Sequence, residues 1–314
     1  MVEITVVVPA RDASATIGRT LAALAAQDVA AEYEVVVVDS GSRDDTAEVA
    51  AASGVPSAVL HNPGGGPAGS RNIGVRHGSG GVLAFTDADC EPVEGWLTGG
   101  LRALERAEIV QGKVLPVRPR RPFDRTLSVV REYGLYETAN LFARREAFDS
   151  VGGFQPVRGD EAERRPFGED VWFVWRAKRA GARTAFADDA LVYHDVLPRG
   201  FAAFVAEQAR TRYFPGLVEQ IPELRRHFLQ HRLFLTPESA RFDLAISGLV
   251  VSAISRRRLP GLAGLVWYAA QLEREARRWP RSERPKVACG RIAADVVTCG
   301  ALLRGSVEAR TLVL

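Results

Sequence analysis

The stretch Phe85-Thr86-Asp87-Ala88-Asp89 places two carboxylates, one residue apart, at the end of an apolar strand predicted over residues 82–85. Residues i and i+2 of an extended segment point to the same side, so Asp87 and Asp89 can face one small volume. Open α/β sheets bind their ligands at the carboxyl ends of strands. Paired hard oxygen ligands suit Mg²⁺ or Mn²⁺ shared with a diphosphate. The stretch therefore predicts a divalent-metal site in an α/β sheet, and a solvated acidic turn is the alternative.

Strands and helices alternate around this acidic stretch. Residues 4–8, 35–38 and 59–60 are apolar runs that predict strands, and residues 44–52 and 68–77 have the pattern of helices. Ser14 is placed to cap a further helix that carries Ile17, Leu21 and Leu24 at helical spacing. Strict alternation of this kind predicts a parallel sheet covered on both faces.

Residues 109–165 are less regular than the rest of the N-terminal half. Pro116, Pro119 and Pro122 interrupt the pattern, and residues 158–165 are highly charged. We interpret this region as a mobile loop of the kind that serves as a functional lid, with a surface insert as the alternative.

The C-terminal third is basic and helical. Residues 199–314 contain 19 Arg and Lys against 10 Asp and Glu, a net charge of +9, whereas residues 1–198 have a net charge of −6. The apolar runs 244–254 and 259–272 are separated by Arg256-Arg257-Arg258 and are shorter than a membrane span. Ile292, Val296, Cys299 and Leu303 form a further apolar stripe. These segments are either core helices or helices at the interface of an anionic membrane.

Composition is that of a globular protein, with 46% apolar and 25% charged residues. The three cysteines show no metal-ligand spacing, which favours a reducing compartment. The first residues lead directly into a strand without the features of a secretory signal. We therefore expect a cytoplasmic protein, with peripheral contact at the cytoplasmic face of the membrane as an addition, and no nucleic-acid partner.

Several motifs in one order resemble the family 2 glycosyltransferases, which are inverting enzymes with the GT-A fold. The motifs are residues 5–12 (TVVVPARD), 34–46 (EVVVVDSGSRDDT), the Asp87–Asp89 pair (the DXD motif), 139–145 (ANLFARR), 151–154 (VGGF) and 167–170 (FGED). The likeness covers roughly residues 3–195. It implies a Rossmann-like GT-A catalytic domain over 1–200, with a nucleotide-binding half (1–115) and an acceptor-binding half (116–200), followed by a helical region over 201–314.

The resemblance also implies roles for particular residues. Asp39 would contact the nucleobase, Pro9, Ala10, Arg11 and Asp12 would form the first nucleotide loop, and Arg71 would approach the diphosphate. Asp89 would bind the metal, assisted by Asp87 and completed by His194. Asp170 would be the general base, with Glu169 near the acceptor. The implied reaction is metal-dependent transfer of one sugar from a nucleotide-diphosphate-sugar to a hydroxyl acceptor, either lipid-linked or part of a cell-envelope polysaccharide.

Other functions remain open at the level of sequence. Gly64-Gly-Gly-Pro-Ala-Gly69 matches the spacing GxGxxG of nicotinamide-binding oxidoreductases, but the first strand-to-helix turn reads Pro-Ala-Arg-Asp. A non-catalytic scaffold at the membrane would need neither metal nor donor, and the presence of Asp39, Asp89 and Asp170 together argues against it. A nucleotidyltransferase would need a glycine-rich loop after the first strand. Gln208, Arg210 and Arg212 depart from the Gln-x-x-Arg-Trp element of processive family members, which argues against a processive synthase.

Overall fold

The computed structural model describes residues 1–157 and 167–314, which form two compact units. The first unit comprises Met1–Pro119 and Thr126–Val196, and the second comprises Arg120–Arg125 and Leu197–Leu314. The functional halves expected within residues 1–200 remain a prediction.

The first unit contains a mixed sheet and its connecting helices. Its strands are β1 (Ile4–Ala10), β2 (Tyr33–Asp39), β3 (Ala58–His61), β4 (Val82–Thr86), β5 (Cys90–Pro92), β6 (Ile109–Pro116), β7 (Asn140–Arg144) and β8 (Thr184–His194). Its helices are α1 (Ile17–Ala25), α2 (Thr46–Ala52), α3 (Gly66–His77), α4 (Trp96–Leu104), α5 (Arg145–Ser150) and α6 (Glu169–Arg179). The sheet order is β3-β2-β1-β4-β7-β6-β8-β5.

The sheet is parallel over the four strands for which the alternation predicted it, and it is mixed beyond them. Strands β3, β2, β1 and β4 are mutually parallel, as their alternation with helices predicted. Strand β7 pairs antiparallel with both β4 and β6, and β5 pairs antiparallel with β8. The physical reason is that β7 arrives from a long irregular connection without a crossover helix, which leaves its direction free.

The sheet must curl. Strands β4 and β5 stand four places apart in the sheet order, which corresponds to about 19 Å in a flat sheet. Only Asp87, Ala88 and Asp89 connect them, and four virtual bonds of the chain reach at most about 15 Å. The acidic stretch therefore bridges the curled sheet from β4 to its far edge.

The interpretation of residues 109–165 as a mobile loop was wrong for most of that range. Strands β6 and β7 lie inside the sheet, and α5 follows β7 directly. The buried Asn140 side chain accepts a hydrogen bond from Trp96 Nε1 (2.8 Å) and donates to the carbonyls of Lys113 (2.8 Å) and Ala190 (2.7 Å). This fully bonded amide joins β7 to β6 and β8. The charged residues 158–165 of that prediction lie outside the described residues.

Helix α1 confirms the periodicity of Ile17, Leu21 and Leu24, which are all fully buried in the core that also includes β1 and Trp96. The proposed cap was wrong. The residue at the N-cap is Thr16, not Ser14, and none of the described side chains caps the helix. The backbone N–H of Ser14 instead donates to Asp44 Oδ2 at 3.1 Å, so Ser14 belongs to a turn held by the neighbouring loop.

The second unit is helical among its described elements. They are α7 (Phe201–Glu207), a 3₁₀ helix (Gln208–Tyr213), α8 (Phe214–Gln220), α9 (Leu224–His227), α10 (Pro237–Ser255), α11 (Leu259–Ala276) and α12 (Arg284–Glu308). Thr236 caps α10 through its side chain, which accepts from Ser239 N. A small core forms where Phe242, Ala245 and Tyr268 pack together. In the part of the chain that the structure describes, we find no helix with the length and apolarity to cross a membrane.

Candidate active site

The loops after β1 and β2 meet at the carboxyl edge of the sheet. Pro9 and Ala10 lie in β1, and Ala10 stands beside Asp39 in the parallel ladder. Arg11 and Asp12 form the bend that follows, where Asp12 has a left-handed backbone (φ +48°). Asp12 Oδ1 accepts from Arg43 N at 2.8 Å, and Asp12 N donates to Ser42 Oγ at 3.0 Å. The structure thus brings Pro9 to Asp12 next to Asp39.

Asp39 is 5% exposed and ends β2. Its carboxylate accepts hydrogen bonds from the backbone of Gly41 (3.3 Å) and Ser42 (3.2 Å), and it lies 3.5 Å from His61 Nδ1. These bonds hold the turn and fix the direction of the carboxylate. A nucleobase contact would therefore be made by an oxygen that is already oriented.

The acidic turn faces His194 across the β5–β8 ladder. Cys90, the first residue of β5, pairs with His194, the last residue of β8. This register places His194 Nε2 at 3.7 Å from Asp89 Oδ2. Burial raises the pKa of Asp89, and the effect of burial outweighs the opposing effect of His194. The negative charge of Asp87 adds to the increase. Because this environment disfavours the ionised form of the carboxylate, a bound cation would stabilise that ionised form.

The hydrogen bonding of His194 is compatible with a role as a metal ligand. Its Nδ1 lies 2.8 Å from the Asp195 carbonyl oxygen, which can only accept, so Nδ1 carries the proton. When a cation displaces the proton from Nε2, that nitrogen is available as a ligand on the side of Asp89, as in metal-binding histidines whose other nitrogen is held by a carbonyl. Cys90 Sγ lies in the same cluster, within 4.8 Å of the other two groups. Burial raises the pKa of its thiol well above the ordinary value, so it remains a neutral, poor ligand for Mg²⁺ or Mn²⁺.

Arg71 connects the acidic turn to the start of α6. It is 5% exposed, and its two terminal nitrogens lie 3.0 Å from Asp87 Oδ1 and 3.3 Å from Glu169 Oε1. Its guanidinium also lies 5.8 Å from the centre of the Phe154 ring. Burial opposes the charge, but Asp87, Glu169 and Asp170 together raise the pKa of Arg71. In the described structure this arginine is therefore a buried cation between two carboxylates.

Glu169 and Asp170 open α6 after Gly168, whose backbone is left-handed (φ +79°). Desolvation by burial and repulsion from Glu169 outweigh the charge of Arg71 and the hydrogen bond from Val171 N, and they raise the pKa of Asp170 to about 8. Its Oδ1 accepts from Val171 N at 2.8 Å.

Glu137 is a titratable group near this site that the sequence interpretation missed. Burial raises the pKa of its carboxyl to about 7, and its charge acts on Asp170. Among the described residues, its Oε2 has no hydrogen-bond partner. Its backbone carbonyl accepts from Asn140 N (3.2 Å) and Gln111 Nε2 (3.3 Å) at the start of β7. The available signal was its place two residues before the segment 139–145.

The arrangement combines two chemical capacities. Asp89 and His194 can hold a divalent cation with oxygen and nitrogen ligands. Asp170, with a pKa of about 8, has the proton affinity of an effective general base near neutral pH. Arg71 connects the two regions by its contacts with Asp87 and Glu169.

Comparison with known families gives a match to the model described as glycosyl transferase family 2 over residues 5–163. Two similar curated proteins are glycosyltransferases. The chain is 28% identical over 214 residues to glycosyltransferase AglE of Haloferax volcanii, which covers 63% of this chain and 68% of that protein. It is 30% identical over 218 residues to the pre-mycofactocin glycosyltransferase of Mycobacterium tuberculosis, covering 62% of this chain and 43% of that protein. The match thus spans less than half the length of the second relative.

Solved structures share the fold. The mannosyltransferase PcManGT of Pyrobaculum calidifontis, in complex with GDP-Man and Mn²⁺, superposes with a TM-score of 0.56 and 20% identity, covering 98% of this chain and 87% of that one. Residues 1–349 of TarS of S. aureus superpose with a TM-score of 0.51 and 18% identity, covering 98% and 92%. These likenesses confirm the GT-A fold class.

Proposed function

Since the chain belongs to glycosyl transferase family 2 and is a glycosyltransferase, we propose that it is a metal-dependent inverting hexosyltransferase. Its donor is a nucleotide-diphosphate-sugar and its acceptor is a hydroxyl group. The observation that carries the proposal is the arrangement of Asp89 with His194 and of Arg71 between Asp87 and Glu169, next to Asp170. A nicotinamide oxidoreductase and a non-catalytic scaffold are not supported, because the family is one of transferases.

Donor binding is assigned to the carboxyl edge of the sheet. The backbone of Pro9 to Asp12 and the oriented carboxylate of Asp39 would hold the nucleoside. Asp89 and His194, with Asp87 beside them, would hold Mn²⁺ or Mg²⁺. The chemistry that such a cation supplies when bound is neutralisation of the charge on the diphosphate leaving group.

The displacement itself is assigned to Asp170. Its carboxylate takes the proton of the acceptor hydroxyl while the acceptor oxygen forms a bond to the anomeric carbon. The bond between that carbon and the diphosphate oxygen breaks, and the nucleoside diphosphate leaves with the electron pair. Because attack and departure occur on opposite sides, the anomeric configuration inverts. Glu169, held by Arg71, would contact the acceptor.

The acceptor and the location belong to the same proposal. The basic, apolar C-terminal helices support a lipid-linked acceptor, or a cell-envelope glycan, presented at an anionic membrane on the cytoplasmic side.

The test is release of nucleoside diphosphate from a panel of nucleotide-sugars, measured with Mn²⁺, with Mg²⁺ and with a chelator. We expect activity with at least one donor and its loss with the chelator. Asp89→Asn should remove most activity while the circular dichroism spectrum stays unchanged, since a neutral amide is a poorer ligand. Asp149→Asn, an exposed aspartate on α5, is the matched control. Metal-independent turnover, or near wild-type rates in folded Asp89→Asn, would contradict the metal assignment.

A further inference from the structure

Helices α10 and α11 form a closely packed pair in the second unit. Gly248 lies so near the Pro260 carbonyl oxygen that a Cβ would meet it at 2.6 Å, and a Cβ on Gly264 would meet Ala245 Cα at 2.8 Å. Ser252 Oγ accepts from Gly261 N at 2.8 Å. Small residues thus allow the two helices to touch along one narrow seam. We call α10, the connecting residues Arg256–Arg258 and α11 the basic hairpin.

The outer surface of the basic hairpin is apolar. Large side chains are exposed on both helices, among them Leu249, Val250 and Ile254 on α10 and Leu262, Val266 and Trp267 on α11. Ile254 is 79% exposed and Val266 is 61% exposed. Between residues 244 and 270 the only charged residues are the three arginines at the turn. A contiguous exposed apolar surface of this kind indicates an interaction site.

The exposed side chains do not form a single narrow stripe. Successive residues of a helix are about 100° apart around its axis. Going around α10, the exposed apolar positions run from Leu249 through Val251 to Leu244 and cover roughly 220° of the circumference. Those of α11, from Leu265 to Trp267, spread over roughly 200°. One partner helix covers a narrower seam than this. The width therefore favours a fluid apolar phase that surrounds the side chains over a second copy of the chain.

Charge and length determine how the hairpin meets that phase. Each apolar helix segment covers about 12 residues, or about 18 Å, against about 30 Å for the hydrocarbon core of a bilayer. The exposed guanidinium groups of Arg256, Arg257 and Arg258 would be costly at mid-membrane but favourable beside lipid phosphates. The chain from Arg199 onward has a net charge of +9, which also favours an anionic surface.

We propose that the basic hairpin is the membrane-seating element of this protein. It lies in the interface of a bilayer that contains anionic lipids, with its apolar side chains among the upper acyl chains and its arginines at the phosphates. This proposal makes specific the membrane contact named in the proposed function. Its test needs neither donor nor acceptor, so a failure of one does not imply a failure of the other.

The test is vesicle flotation of the full chain with phosphatidylcholine alone and with phosphatidylcholine containing phosphatidylglycerol, each at low and high salt. We expect binding to the anionic vesicles that weakens with salt but leaves an apolar, salt-resistant part. Arg256→Glu/Arg258→Glu should lower the partition coefficient by at least about 30-fold, the effect of removing two basic residues at the surface. Arg120→Glu/Arg121→Glu, two exposed arginines elsewhere in the same unit, is the matched control.

The apolar part is tested separately. Val266→Glu should remove the salt-resistant binding, whereas Val130→Glu, at a residue 52% exposed in the first unit, should not. Trp267 emission should move to shorter wavelength on binding, and Trp267→Phe should lose that change. Absence of binding to anionic vesicles at low salt would overturn the proposal. The proposal would also be overturned if light scattering showed that the lipid-free wild type self-associates and that Val266→Glu abolishes the self-association. A second copy of the chain would then cover the hairpin.

Discussion

Replacing Arg71 by methionine tests whether one buried cation supports both halves of the candidate active site. The substitution keeps much of the length and apolar contact of the side chain but removes the charge between Asp87 and Glu169. Both ion pairs are short, at 3.0 and 3.3 Å, and the Arg71 side chain is only 6% exposed. Removing one partner of a buried pair costs about 3–5 kcal/mol, because the charge left behind stays buried without compensation. Here that charge is Glu169, whose side chain is 9% exposed, whereas Asp87 is 32% exposed and contributes less.

We therefore expect the melting temperature of Arg71→Met to fall by roughly 6–20 °C, since each kcal/mol corresponds to about 2–4 °C in a domain of this size. The measurement is thermal unfolding followed by circular dichroism, together with the rate of transfer at a temperature where the variant is folded. Arg71→Lys should recover part of the stability but little of the rate, because an ammonium group cannot hold two separated carboxylates as a guanidinium does.

The matched control is Arg102→Met, which breaks an ion pair of 2.8 Å with Asp189 at the surface. Both side chains of that pair are exposed, so its loss should cost at most about 1 kcal/mol. If Arg71→Met is no less stable than Arg102→Met, the description of Arg71 as a buried bridge is wrong. If only the affinity for the donor falls, Arg71 acts on the diphosphate alone.

Two further predictions concern Asp170. The transfer rate should rise with pH up to about 8, because the base must lose its proton. Asp170→Asn should lower the rate by about 10²- to 10⁴-fold and abolish this pH dependence. A rate above about a tenth of wild type in this variant would show that another residue is the base. Stability should respond in the opposite direction: the raised pKa means that the folded protein holds the proton which the unfolded chain has lost, so wild-type stability falls as pH rises from about 4 to about 8. Asp170→Asn should therefore have a higher melting temperature than wild type at pH 8.5 but not at pH 4, with Asp149→Asn as the control. A lower melting temperature of Asp170→Asn at both pH values would refute desolvation as the cause of the raised pKa.

The local patterns of the sequence predicted the first half of the sheet well. Strands β1, β2 and β4 are continuous apolar runs that end in polar turns, and such runs report burial directly. The positions of β6 and β7 were not predictable in the same way. Prolines and a long connection obscure their pattern, and the antiparallel direction of β7 depends on pairing with β4 rather than on local propensity.

The contacts of the candidate site were less accessible than its residue types. Arg71 and Glu169 are 98 positions apart, and nothing in either segment indicates that they meet. Likewise, the spacing of Ile292, Val296 and Leu303 predicted an apolar face on α12, but not that these side chains would be exposed. Periodicity identifies the apolar face of a helix, but whether that face is buried depends on the elements that pack against it.

The curled sheet has a consequence for the growing chain during translation. The acidic turn is synthesised by residue 89, yet among the described strands β5 pairs with β8 alone, whose last residue is His194. About a hundred further residues must leave the ribosome before the edge strand finds its neighbour. A nascent chain that stops at residue 163, the end of the family match, contains the acidic pair but neither Asp170 nor His194. The candidate active site would thus be completed only late in synthesis, and incomplete chains would not react with the donor.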